Sequence, residues 1–466
     1  MIRPRHAVLL LCLTLAGCTV GPNYHRPSVN LPPAYRGLAP TLSAQPSPAS
    51  LGNEEWWKVF QDPVLQQLIH TALQQNFDTR IAATRVLQAQ ADLGITRSNE
   101  FPFVSAGGDI FDSHTPKITK ALPAYSQHAG ELSLSVIWNL DFWGKYRRET
   151  EAARANLLAT EWGRRAVINS VVSNVATAYF QLRELDLELE ISEDTLASRK
   201  YSLRLTQVLA NNGSVSLLDL RQAQELVYTA AETIPSLQKQ IQQQEDLISV
   251  LLGENPGPVA RGFKLASHPL PVFLPAGLPS ELLERRPDIR EAEANLMAAN
   301  AEIGVAKADF FPAISLTGTG GSESNALNQF LTGPSGLWNV AGSATQTIFQ
   351  AGALRAGLRL TRAQQQQMLL TYEQSIQEAL REVSDSLVAY QKNREFLKQQ
   401  QLLTSAAKDA NRLSNILYQH GGASYLQVLT SETNYFAAEL NLAQAQLAQQ
   451  LALVQLYNAL GGGWQS

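Results

Sequence analysis

The chain has 466 residues and a formal net charge of −4, with 45% apolar and 17% charged residues. That length allows two or more domains. The charged share is below the usual quarter, and acid slightly exceeds base, which argues against nucleic acid as a partner.

Arg3 and Arg5 precede an apolar run that closes on Leu15-Ala16-Gly17-Cys18. A basic start, a short apolar middle and small residues at the end make an export signal over 1–17. The run is too short to span a bilayer as a helix. Its ending resembles the bacterial lipoprotein cleavage box, so Cys18 is expected to become the first mature residue and to carry lipid. The one other cysteine, Cys12, leaves with the signal, and no intrachain disulfide can form. Thr19 stands where an aspartate would mark inner-membrane retention, which by the same resemblance points to the outer membrane. An ordinary signal with an incidental cysteine is the alternative.

Residues 18–61 are rich in proline (Pro22, Pro27, Pro32, Pro33, Pro40, Pro46, Pro48) and read as an extended, lipid-anchored segment. Trp56 and Trp57 are expected to pack its end onto helices.

A first repeat is expected over 62–253. Asp62 followed by Pro63 is a helix start, an N-cap with proline at the first helical position. One helix is expected from there to about 98, because Pro102 disfavours helix in the residue before it. The period then changes to two. Leu132, Leu134, Val136, Trp138, Leu140 and Phe142 alternate with polar residues, Ile137 excepted, and mark a strand with one apolar face. Residues 103–113 make a weaker partner, giving a hairpin within 102–142. A long helical hairpin follows over 145–252, with its turn at Asn211-Asn212-Gly213-Ser214. Its first arm contains no proline, and about 65 residues at 1.5 Å each make a rod of roughly 100 Å. Its return arm carries Leu220, Val227, Ile234, Ile241 and Ile248 every seven residues, a coiled-coil spacing, with a kink expected at Pro235.

A Pro/Gly-rich connector, 254–278, leads to a second repeat, 279–461, and a tail, 462–466. The second copy is expected to hold a helix over 279–310, a hairpin within 312–350 with strands at 313–321 and 339–349, and a helical hairpin over 352–460 turning at Gly421-Gly422. Leu426, Thr433, Leu440, Leu447 and Val454 mark its seven-residue stripe. Asp78, Ala82, Ala89, Gly94, Phe101 and Pro102 reappear as Asp288, Ala292, Ala299, Gly304, Phe311 and Pro312 (288 − 78 = 210). Gly144, Arg147 and Leu252 reappear as Gly352, Arg355 and Leu460 (352 − 144 = 208). Each return arm, with the short helix before its β-hairpin, matches one rod in length, so the two are expected to stack end to end beside it. This is the duplication of a large unit.

Four strands cannot close a barrel, and open strand edges are not tolerated in lipid. Closure therefore requires other copies, and three would supply twelve strands, within the range of membrane barrels. Trp138, Phe142, Trp143 and Trp338 are candidates for an interfacial aromatic belt. Other chemistry is poorly served. The seven histidines are scattered without zinc spacing, no cysteine remains to assist them, and the glycines at 318, 320 and 321 lead into no helix with lysine. No catalytic centre, cofactor or metal is expected.

Leu-Ala-Gly-Cys18, Gly21-Pro22-Asn23-Tyr24, Trp56-Trp57, Arg285-Arg286-Pro287-Asp288-Ile289, Phe311-Pro312 and the ending Ala459-Leu460-Gly461-Gly462-Gly463-Trp464, in this order and with the duplication, resemble the lipoprotein branch of the TolC family of outer membrane factors. The resemblance covers essentially the whole mature chain. It implies a mainly α protomer with a transmembrane β portion, three of which form a 12-stranded β-barrel continued by a long α-helical barrel. It implies the outer-membrane exit duct of a tripartite efflux pump for drugs, solvents and toxic compounds. The implied partners are two further copies, outer-membrane lipid, a periplasmic adaptor and an inner-membrane transporter of the resistance-nodulation-division type. It places the closing aperture at the rod tips, near Gly213, Gly421 and Gly422. Tyr418 matches a tyrosine of the family's closed-state network, with Tyr425 beside it. Gln427 and Thr430 stand where aspartates often ring the constriction, and Ala423 where a charge is common. Asp219, the counterpart of Gln427 (427 − 208 = 219), could supply carboxylates or merely cap its helix. A lipid-anchored periplasmic scaffold or adaptor without a pore, and an exit duct for type I secretion, are the alternatives.

Overall fold

A computed structural model describes residues 19–36, 50–116, 124–268, 275–330 and 332–464. The export signal, Cys18, Pro40, Pro46 and Pro48 lie outside the described residues. The chain divides into two compact units, each drawing on both repeats. One holds Met1–Ser28, Arg85–Glu161 and Glu291–Glu373, the other Val29–Thr84, Trp162–Arg290 and Gln374–Ser466.

The first unit is built on an antiparallel sheet of β1 (Phe103–Thr115), β2 (Tyr125–Leu140), β3 (Ala313–Ser324) and β4 (Gly336–Thr345), in the order β1-β2-β3-β4. The register aligns Val104 with Val136, Leu134 with Gly320, Trp138 with Leu316 and Gly318 with Val340, so the apolar residues share one face. The opposite face carries Ser105, Ser135, Thr319 and Asn339 in one row. Among the described residues nothing covers the apolar face: Ile110 is 95% exposed, Trp338 80% and Val340 75%. Water would not leave such a surface bare; lipid would. β1 and β4 are edges.

Three expectations are corrected here. β1, β2 and β3 extend further toward the hairpin turns than alternation indicated. β4 starts at Gly336 and ends at Thr345, so Ile348 and Phe349 fall outside it. The glycine-rich strands carry too few side chains for a period-two reading to find their ends. Trp143 leaves the proposed belt altogether: its ring stacks on Phe311 at 4.7 Å and its Nε1 donates to Pro312 O at 2.9 Å.

The Gly21-Pro22-Asn23-Tyr24 motif is also explained in this unit. Val20 N donates to Trp143 O at 3.0 Å, and Gly21 has φ +107°. A Cβ on Gly21 would lie 2.5 Å from the Gly304 Cα, so this crossing needs glycine on both sides. Asn300 donates to Pro22 O at 3.0 Å and Arg148 to Asn23 Oδ1 at 2.8 Å. Tyr24 and Arg26 both bind Glu293, at 3.2 Å and at 2.7 and 2.6 Å. The segment is strapped down by charge-assisted bonds.

The second unit shows why the expected helices 62–98 and 279–310 each break in two. After a short α1 (Trp56–Val59), the first becomes α2 (Pro63–Gln75) and α3 (Phe77–Ser98), and the second becomes α6 (Pro279–Arg285) and α7 (Pro287–Ala308). Asn76 ends α2 and its Oδ1 accepts from Thr79 N, capping the next helix; Arg286 takes the same place before Pro287. The rods are α4 (Lys145–Asn211) and α8 (Ala353–Gln419), 67 residues each, and the return arms α5 (Leu217–Leu252) and α9 (Tyr425–Ala459). α5 remains a single helix through Pro235. Each return arm meets the start of a short helix, as end-to-end stacking requires: Asn76 Nδ2 donates to Leu251 O at 2.9 Å, and Arg286 donates to Ala459 O at 3.0 Å. These are equivalent positions (286 − 76 = 210; 459 − 251 = 208).

Asp62 anchors the start of α2. Its buried carboxylate accepts from Val64 N, Leu65 N, Tyr179 Oη and Phe263 N. Trp56 is buried as expected while Trp57 is partly exposed, their rings edge to face at 5.3 Å.

Candidate functional site

Both hairpin tips end their rods alike. Gly213 and Gly421 have φ of +72° and +74°, and each tip closes with a bond from the next residue to a carbonyl five back, Ser214 N to Leu209 O at 2.9 Å and Gly422 N to Leu417 O at 2.8 Å. This is the left-handed glycine cap that satisfies the last helical carbonyls. Gly422 has no positive φ, and an added Cβ there would make only ordinary contact with Leu417. Of the three tip glycines, two are demanded by backbone geometry.

The return arms begin differently. At α5, Ser216 and Asp219 form a reciprocal capping box: Asp219 N donates to Ser216 Oγ at 3.1 Å and Ser216 N to Asp219 Oδ2 at 3.0 Å. At α9, Ser424 makes no side-chain cap bond and Gln427, in the equivalent place, is exposed.

Tyr425, Val428 and Ala223 form a buried cluster against which Tyr418 and Leu203 pack. The Tyr418 and Tyr425 rings are 5.5 Å apart. Burial raises both phenols above their ordinary value, and the Asp219 charge adds to the effect. The Tyr418 hydroxyl is buried without a hydrogen-bond partner. The structure therefore brings Tyr418, Tyr425 and the field of Asp219 together. It places Gln427 and Thr430 elsewhere, on a groove between α8 and α9 lined also by Leu403, Ala406 and Ala410. Thr430 spends its hydroxyl on Leu426 O, at 2.9 Å.

Near the tip the buried stripe of α9 differs from the one expected, whereas Val454 at its far end is buried. Leu426 and Thr433 are exposed, while Tyr425 and Glu432, one residue earlier, are buried. On α4 the buried positions Ser192, Arg199 and Thr206 also recur every seven residues. Polar side chains occupy these seams, so a search for apolar periodicity settles on the neighbouring stripe. The missed signal was charge at seven-residue spacing: Arg199 on the rod, Glu432 and Glu439 on the return arm. Among the described residues, no group of three or more His, Cys, Asp or Glu is placed to hold a metal ion. No described helix is long and apolar enough to cross a membrane.

The family model described as outer membrane efflux protein matches residues 68–254 and 278–462. The cation efflux system protein CusC of Escherichia coli O6:H1 is 35% identical over 460 residues, covering 98% of each chain. The probable efflux pump outer membrane protein TtgC of Pseudomonas putida is 37% identical, covering 97% of this chain and 93% of its own. Among solved structures, the open state of the MtrE outer membrane channel of Neisseria gonorrhoeae superposes with a TM-score of 0.87 at 29% identity, covering 96% of this chain and 99% of that one.

Proposed function

The chain belongs to the outer membrane efflux protein family, and from that premise we propose how it works as the outer-membrane channel of an efflux pump. Three copies join β4 of one to β1 of the next and close a 12-stranded barrel. The rods and stacked short helices continue it into the periplasm as a tube. Conduction is passive. Energy comes from an inner-membrane transporter, reached through a periplasmic adaptor and of the resistance-nodulation-division type. Cys18 carries the lipid, and three acyl anchors add membrane affinity.

The observation that carries this reading is the sheet: four strands, two open edges, and one apolar face left to lipid. A periplasmic scaffold would have no reason to leave either bare. The test is migration on unboiled gels together with conductance in planar bilayers. We expect a heat-labile species of three copies and stepwise ionic currents; a detergent-independent soluble monomer overturns the reading.

The tip is the aperture, latched by Tyr418 and Tyr425 and steadied by the Asp219 cap. With Gln427 and Thr430 exposed in place of carboxylates, its cation preference is weak. The double substitution Gln427→Asp, Thr430→Asp should confer strong cation preference and block by trivalent cations in bilayer recordings. Strong preference in the parent itself would count against this assignment.

A further inference from the structure

In the second unit, α4, α8 and α9 line a cavity of about 160 Å³, partly open to solvent, that is flanked by Asp194, Ser198, Arg199, Asn411, Glu432 and Glu439. Two of these side chains are buried charges: Arg199 is 3% exposed and Glu432 7%. The Arg199 guanidinium donates to Leu226 O at 2.9 Å and lies over the Phe436 ring at 5.1 Å, but its Nε has no partner. Glu432 Oε1 accepts from Ser202 at 3.3 Å, and its Oε2 has no partner. Opposite charges thus face one cavity without forming an ion pair, each with an atom left over. A space of this size holds a few waters.

An ionised carboxylate beside a buried arginine, both out of bulk water, is driven to pair directly or to take up a proton. The surrounding charges do not remove the conflict. From α4 comes Asp194 and from α8 Lys408, whose charge acts on Glu439; from α9 come Glu439, bound by the Tyr435 hydroxyl at 2.5 Å, and Tyr425. α5 contributes the Leu226 carbonyl, the Asp219 charge being felt at Tyr418 and Tyr425. Burial holds Glu432 above the ordinary carboxylate value, with Arg199 opposing it, and pushes Arg199 down. Polar residues at a coiled-coil seam trade stability for a choice of register, and packed helices shift by small sliding steps.

We propose that Arg199 and Glu432 form a proton-controlled latch between α4 and α9, separated by water when Glu432 is protonated and directly ion-paired when it is ionised. The separated state is the one in which Glu432 holds its proton more tightly, so falling pH favours it and rising pH favours the pair. Tyr425 lies seven residues from Glu432 toward the tip on the same stripe, so the step is transmitted to the Tyr418–Tyr425 contact.

The latch rests on the duct reading for its purpose but not for its test, which is amide hydrogen exchange over α9 in the purified full chain. With rates corrected for intrinsic pH dependence, protection in the parent should differ between acid and neutral conditions by about threefold or more. Glu432→Gln should show the acid pattern at both, and so should Arg199→Gln, which leaves the carboxylate nothing to pair with. Glu439→Gln, altering a neighbouring acid, should keep the parent's contrast. A parent with no contrast, or a Glu432→Gln chain that still switches, overturns the latch. Exchange needs no conducting pore, so its failure is separable from failure of the duct.

Discussion

The same junction is made twice in this chain, with different chemistry. In the first repeat the Asn76 amide reaches Leu251 O, and Gly253, at φ +78°, lies against the Gln75 carbonyl. In the second, the Arg286 guanidinium reaches Ala459 O and also holds Asp288 and Glu382 at 2.6 and 2.7 Å, while Gly461, at φ +75°, meets the side chains of Arg285 and Arg286. Both satisfy a carbonyl at the end of a return arm, which has no intrahelical partner. The backbone requirement is shared and the means are not. Where backbone presses on backbone the junction cannot yield; where it presses on long side chains it can.

The largest expected effect sharpens that contrast at the glycines. A Cβ on Gly253 would overlap the Gln75 carbonyl, whereas one on Gly461 would come within 3.2 Å of flexible methylenes. Both substitutions carry the cost of a left-handed conformation, about 1 kcal/mol or more. Gly253→Ala adds a backbone shift, so it should lower the melting temperature of the detergent-solubilised protein well below that of Gly461→Ala; equal losses would remove the distinction between the copies. The next effect reverses the order of the halves. Arg286→Ala releases a buried guanidinium from a carbonyl and two half-exposed carboxylates and should cost about 2–3 kcal/mol, against about 1–2 kcal/mol for Asn76→Ala. Thermal melts of both variants measure the difference, and a costlier Asn76→Ala would break the comparison.

The smallest effect lies at the tips. Asp219→Ala removes half of a capping box and should cost about 1 kcal/mol of local stability, read as faster exchange over the first turns of α5. Gln427→Ala, at the uncapped counterpart, should change exchange at the start of α9 within about 0.5 kcal/mol. Equal responses would mean that the Asp219 bonds contribute nothing the second tip lacks.

Much of the fold was legible in the sequence, and the reasons are local. Asp62 before Pro63 specifies a helix start whatever surrounds it, and the structure uses Asp62 Oδ1 as the cap. Proline-free runs specified the rods nearly to the residue. The stripe from Leu220 to Ile248 lies on the packed face of α5. The second stripe failed near the tip, where Leu426 and Thr433 stand beside a seam that Tyr425 and Glu432 occupy, while Val454 at its far end is buried. The break at Asn76 escaped notice because the carbonyl that rewards it lies 175 residues away; the one at Arg286 had a local signal in Pro287, which disfavours helix in the residue before it.

The sequence by itself determined the periods, the duplication and the ends of the rods, since these follow from neighbours a few residues apart. Only the tertiary structure decided which polar groups are buried, which glycines are crossed by another backbone, and that Arg199 and Glu432 share one cavity. Burial depends on what a distant segment brings, and a side chain's charge takes its meaning from that company.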